Sequence, residues 1–187
     1  MTNWNNSDGL TVKMARDESA LNKGGSYSTL GPLQCTEIKI EYTDALSASS
    51  QIVGTVAGPS SNPVGALGVQ IPGGVRIEAI EVIPEVAFTS SGTIGSSTFV
   101  LGLVRNDRTT ENDYDGFTTS SFVGTALDTK GERTYLVAGG TGAGAFVGAE
   151  TVYPGYITVA NSAHASHPFT AGKAIVRIYW YNPQTIG

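Results

Sequence analysis

The sequence predicts an all-β fold, an antiparallel β-sandwich or jelly roll of about eight strands with an extended N-terminal arm. Three observations carry this. Short runs alternate apolar and polar residues with period 2, and no run keeps the 3.6-residue period of a long helix. Clusters of Gly, Ser, Thr, Asn and Pro separate the runs, as turns between strands require. The chain also closes on its densest β stretch, Ala174-Ile175-Val176-Arg177-Ile178-Tyr179-Trp180-Tyr181. There the alternation puts Ala174, Val176, Ile178 and Trp180 on one face and Ile175, Arg177, Tyr179 and Tyr181 on the other. The first face is wholly apolar and belongs in a core. The second is too bulky for free solvent, which places Tyr179 and Tyr181 near a subunit contact.

Taken in order, residues 1–32 show neither strand nor strong helix periodicity, apart from about two possible helical turns over Met14 to Asn22. Their apolar residues are too sparse for a core, so the segment is read as an arm, distinct from a β domain over residues 33–187. Gln34–Thr43 is the first firm strand, with Thr36, Ile38, Ile40 and Tyr42 turned inward and Cys35, Glu37, Lys39 and Glu41 outward. A short strand is expected over Gln51–Val56. The longest run, Val75–Phe88, switches its apolar parity near Glu81, as a β-bulge would make it do. Pro84 marks an edge or a bend in the same run. Thr98–Arg105 is another strand, Asn106–Gly116 an acidic loop, and Phe117–Val123 a weaker strand. Arg133–Ala138 follows, then a hairpin of Glu150–Tyr153 and Tyr156–Ala160 about Pro154-Gly155.

Composition narrows the function. The formal charge is −5 over 187 residues and the pI about 4.9, which argues against a nucleic-acid binder, since such domains are usually basic. Charged residues make up only 14% of the chain, and none occurs between Ala45 and Val75 or between Val86 and Val104. Surfaces poor in charge are what interface cores look like, because charges there must be desolvated. The single cysteine, Cys35, leaves no internal disulfide and fits a reducing compartment. The start, Met1-Thr2-Asn3-Trp4, has neither a basic nor an apolar run, so no signal peptide is expected. No stretch has the length of a membrane span, and no membrane partner is expected.

Motifs for chemistry fail one by one. Gly139-Gly140-Thr141-Gly142-Ala143-Gly144 lacks the G-x-G-x-x-G spacing of a phosphate loop and is read as a place of close backbone approach. Glu111-Asn112-Asp113 opens like a calcium loop, but Phe122 stands where the bidentate acid belongs. His164 and His167 have no further ligands at metal-site spacing. No Gly-x-Ser-x-Gly elbow occurs. Glu78, Glu81 and Glu85 are read as charges of a solvent face rather than a glycosidase pair. Tyr153, Tyr156, Tyr179, Trp180 and Tyr181 could form a sugar-stacking platform but suit core and interface anchors better. The chain is therefore read as a non-enzyme with no cofactor and no metal.

Several phrases recur together: Trp4-Asn5-Asn6, Asp8-Gly9-Leu10 and Val12-Lys13; Gly68-Val69, Ile71-Pro72 and Gly74-Val75; Phe99-Val100-Leu101-Gly102-Leu103; Gly155-Tyr156-Ile157-Thr158; and Phe169-Thr170-Ala171-Gly172-Lys173-Ala174 before Val176-Arg177-Ile178-Tyr179-Trp180. In these the chain resembles the capsid decoration, or cement, proteins of tailed bacteriophages. The resemblance implies a jelly-roll-type domain, often a homotrimer, on the outside of the capsid and partnered by the major capsid protein. It implies assembly in the host cytoplasm and no catalytic residues. On that reading the arm would touch neighbouring subunits through Trp4, Leu10, Val12, Leu21 and Tyr27. The alternatives are another virion protein (tail, fibre or head–tail joining) or a carbohydrate-binding jelly-roll module.

Overall fold

A computed structural model describes residues 2–5, 11–14, 26–30, 33–44, 66–105, 111–113, 115–119, 122–151, 153–161, 163 and 165–182. Eleven strands are found among them: β1 (Thr2–Asn5), β2 (Thr11–Met14), β3 (Ser26–Leu30), β4 (Leu33–Glu41), β5 (Ala66–Ile71), β6 (Arg76–Ser90), β7 (Val100–Arg105), β8 (Glu111–Asp113), β9 (Thr134–Val137), β10 (Gly155–Ala160) and β11 (Phe169–Tyr181). They form two antiparallel sheets, ordered β1-β2-β3-β4-β11-β6-β9 and β5-β10-β7-β8. Among the described residues the only helical pieces are short 3-10 turns. The protein is all-β, in an arrangement consistent with a β-sandwich.

The closing strand is the pivot. β11 lies between β4 and β6, pairing with β6 from Phe169 to Tyr181 and with β4 from Lys173 to Tyr181. Ala174, Val176 and Ile178 are fully buried and Trp180 nearly so, as the alternation predicts. The Trp180 indole N–H donates to Thr36 Oγ1 at 2.9 Å, so the one polar atom of that side chain is satisfied inside the core. Ile38 and Ile40 of β4, Ile77, Ile80 and Val82 of β6, and Leu136 of β9 complete this wall. Ile71 of β5, Leu101 and Leu103 of β7, and Ile157 and Val159 of β10 face it from the second sheet. One hydrophobic core therefore lies between the sheets. Its end is closed by Phe88, Phe99, Phe122 and Phe169, which meet edge-on or tilted at centroid distances of 5.2–6.5 Å.

The last eight strands pair in a nested way. β4 pairs with β11, β5 with β10, β6 with β9, and β7 with β8, all antiparallel. The pairs β6–β11 and β7–β10 join these ribbons into the two sheets.

Several expectations are corrected. Residues 1–32 contribute three strands, β1–β3, which meander outward from the β4 edge in continuous register. Their short, polar segments lack alternation because extension of an existing edge supplies backbone partners without demanding a second apolar face. Tyr42 is not core-facing: β4 ends at Glu41, and Tyr42 begins a 3-10 turn with its ring exposed. The parity switch in β6 falls at Glu78, which stands opposite no residue of β11 between Ala79 and Ile77. That bulge lets Ile77 and Ile80 both point inward. Part of the acidic loop is strand β8, on the outer edge of β7. No strand forms among the described residues of Phe117–Val123: Thr118 and Val123 make isolated bridges, while Phe117 and Phe122 plug the core. The expected hairpin does not form, because Glu150 bridges to Arg76 and β10 pairs with β5 and β7 instead. The strand expected over 51–56 lies outside the described residues, as does most of the two-turn helix.

The glycine run behaves as read. A Cβ on Gly144 would overlap the Asp115 carbonyl oxygen, so only glycine lets these two loops touch. In β11, Gly172 combines φ +136° with a position where a Cβ would strike the Phe88 ring. It marks the irregular register at the start of that strand.

Candidate functional site

Directly opposed residues of a sheet share a face, so register defines rows across it. One row on the outer face of the seven-stranded sheet runs through positions 4, 12, 28, 35, 179, 79 and 137. The next runs through 2, 14, 26, 37, 177, 81 and 135. Of the residues singled out in the sequence, Trp4, Val12 and Tyr179 thus occupy one row. Tyr181 stands opposite Leu33 two positions further along, on the same side. Tyr27 stands opposite Thr36, in a row of the core side. Leu10 and Leu21 lie outside the described residues.

On this face, on β6 beside the β9 edge, sits a carboxylate that the sequence reading left in solvent. The Glu81 side chain is only 1% exposed. Tyr135 donates its hydroxyl to Oε1 at 2.7 Å and Arg133 Nη1 donates to the same oxygen at 3.2 Å. Tyr179 donates its hydroxyl to Oε2 at 3.1 Å and Arg177 Nη1 does so at 3.2 Å. Arg177 also reaches across to β4, where its Nε donates to Glu37 Oε2 at 2.8 Å. Three strands are thereby tied by one network: β4 through Glu37, β11 through Arg177 and Tyr179, and β6 through Glu81. Residues 133–135 add the edge.

The electrostatics follow from burial and donors. Burial pushes the Glu81 carboxyl up, but the bonds donated by Tyr135, Arg177 and Tyr179, with the Arg177 charge, outweigh it and hold the carboxyl below its ordinary range. The hydrogen bond to Glu37, and then those with Glu81, hold Arg177 protonated more firmly than usual. Burial, then the negative charges of Cys35 and Glu81, push the Tyr179 phenol up to about 12. Burial pushes the neighbouring Cys35 thiol up to about 11, against the opposing charge of Arg177. At neutral pH the shifted groups each keep one state: Glu81 a carboxylate, Arg177 a guanidinium, Tyr179 a phenol and Cys35 a thiol. The cluster can hold strands and present tyrosine and arginine edges. It is poorly suited to proton transfer, which needs a group poised near the working pH.

Around the network the face carries apolar side chains and paired charges. Leu33, Val86, Tyr135 and Val137 stand exposed on it. Its far end carries two surface ion pairs, Lys39–Glu85 at 3.6 Å and Lys173–Glu41 at 3.0 Å.

The other motifs do not gather into sites. His167 packs its ring over Gly92 and gives its carbonyl to Ser97 and Asn161, while His164 lies outside the described residues. Glu78 is half-exposed and bound to Arg76 at 3.0 Å. Tyr153 stacks under the Arg105 guanidinium at 3.9 Å, far in sequence and sheet from Tyr179. Among the described residues, no three His, Cys, Asp or Glu side chains converge as metal ligands would. The sequence signal for Glu81 was its position inside Ile80-Glu81-Val82-Ile83, a charge flanked on both sides by β-branched residues. Its partners come from 52 to 98 residues away, and no local pattern names them.

Comparison with known proteins returns no match: no family model fits the chain, and no curated protein or solved structure matches it significantly.

Proposed function

We propose that this chain is a structural virion protein of a tailed bacteriophage, a decoration protein that binds the outside of the capsid lattice and bridges capsomers. The observation that carries the reading is the outer face of the seven-stranded sheet: wide, uncharged in sum among the described residues, rich in tyrosine, and built on the Glu81 network. Such a face suits protein contact rather than chemistry. The nested pairing of β4–β11 supports a jelly-roll connectivity, in which one long antiparallel ribbon wraps into two sheets. β1–β3 widen the larger sheet beyond the core and serve as the reach toward neighbours that the arm was expected to provide. A protein that binds only the expanded lattice stabilises it by mass action, and contacts to several subunits at once multiply modest affinities.

The test is co-sedimentation of the purified chain with capsids of the virus whose genome carries it, in expanded and unexpanded form. Saturable binding to expanded capsids alone is the expected result. No binding to either form, with specific binding on a glycan array, would replace this reading by the carbohydrate module.

A further inference from the structure

The outer face of the seven-stranded sheet has a property the rest of the chain lacks. It carries five carboxylates, Glu37, Glu41, Glu78, Glu81 and Glu85, and five cations, Lys39, Arg76, Arg133, Lys173 and Arg177, each ion-paired within the face. Among the described residues its sum is zero, in a chain whose total is −5. Two copies that meet here bring no net like charge together. A strongly charged partner, nucleic acid or basic peptide, gains nothing from a face already neutralised from within. Four of the seven large apolar side chains exposed among the described residues also lie on this face, Leu33, Tyr135 and Val137 toward one end and Val86 at the other. Strands about 4.8 Å apart with about 3.3 Å per residue give the face roughly 700 Å², close to the ~800 Å² per partner of a stable interface. Glu81 is desolvated on folding, so docking leaves its cost unchanged, and the exposed rings and guanidinium edges beside it are the residue types that dominate interfaces.

We infer that this face is where one copy of the chain packs on another, with Leu33, Tyr135 and Val137 at the contact, leaving the remainder of the surface toward the lattice. The inference deepens the decoration-protein reading and rests on its assumption that the chain self-assembles.

Sedimentation velocity on the full chain tests it, with Val137→Asp and Leu33→Asp as probes and Val123→Asp, an exposed site off this face, as control. The wild type and the control are expected to sediment as one oligomer. Val137→Asp and Leu33→Asp are expected to sediment as monomers, with association at least tenfold weaker and the circular dichroism of the folded chain unchanged. Should one probe fail to fold, the other decides. A monomeric wild type, or oligomers in both folded probes, overturns the inference. Capsid co-sedimentation separates it from the function itself. Probes that stay oligomeric but no longer bind capsids assign the face to the lattice and leave the decoration role standing. Probes that become monomeric, from a wild type that binds no capsid, uphold the face and remove the role.

Discussion

Replacing Glu81 by glutamine removes one charge from a side chain that is 1% exposed and accepts four hydrogen bonds. The amide can still accept at its oxygen, but its NH₂ then faces two of the four donors. Breaking a buried ion pair by removing one partner costs about 3–5 kcal/mol. Here the orphaned guanidiniums are 58% exposed at Arg133 and 31% at Arg177, and Arg177 keeps its bond to Glu37. Water can therefore take back part of the loss, and about 2–3 kcal/mol remains at pH 7. For a chain of this length that lowers the melting temperature by roughly 4–12 °C. The pH dependence identifies the cause. Because folding lowers the Glu81 pKa, its contribution is fully present above the unfolded carboxyl value of about 4.3 and disappears as pH falls through the folded value below it. Urea titrations of wild type and Glu81→Gln from pH 7 to pH 2.5 should show a gap that is constant down to about pH 5 and closes in acid. A gap under about 0.5 kcal/mol at pH 7, or one that persists unchanged at pH 2.5, would refute the network as a source of stability.

Three further outcomes follow from the same structure. Gly172→Ala should cost about 2–4 kcal/mol, because the new methyl strikes Phe88 and φ +136° disfavours any side chain; a melting point within a degree of wild type would contradict it. Trp180→Phe should lose about 1–2 kcal/mol by orphaning the Thr36 hydroxyl. In a double-mutant cycle with Thr36→Val the two should couple by about 1 kcal/mol, and strict additivity would deny the bond. Cys35, with its thiol pushed up to about 11, should react with a disulfide reagent at pH 8 about a hundredfold more slowly than a free thiol. Urea should abolish that protection, and native labelling at the free-thiol rate would place Cys35 in solvent.

Glu81 and the segment before β4 show where local reading stops. The sequence marks Glu81 as a charge in an apolar run, yet charge on a strand defaults to solvent unless its cross-strand neighbours are known. Those neighbours arrive through β9 and β11, and the bulge at Glu78 then shifts which β6 residues face inward. Strands β1–β3 lack alternation for a related reason: added one after another to the β4 edge, they draw on backbone pairing, and propensity says little about strands stabilised that way. The hairpin expected at Pro154-Gly155 failed because β10 found better partners in β5 and β7 than in its sequence neighbour.

What the amino-acid order determined by itself is the β class, the inward face of β4 and β11, and the close approach at the glycine run. Each depends on period 2 or on the absence of a Cβ, which are properties of residues and their immediate neighbours. Only the tertiary structure decided the two-sheet pairing, the strands before β4, and the Glu81 network with its balanced outer face. Those depend on which distant strands lie side by side, a choice made by burial of the whole core, and no single stretch of chain encodes it.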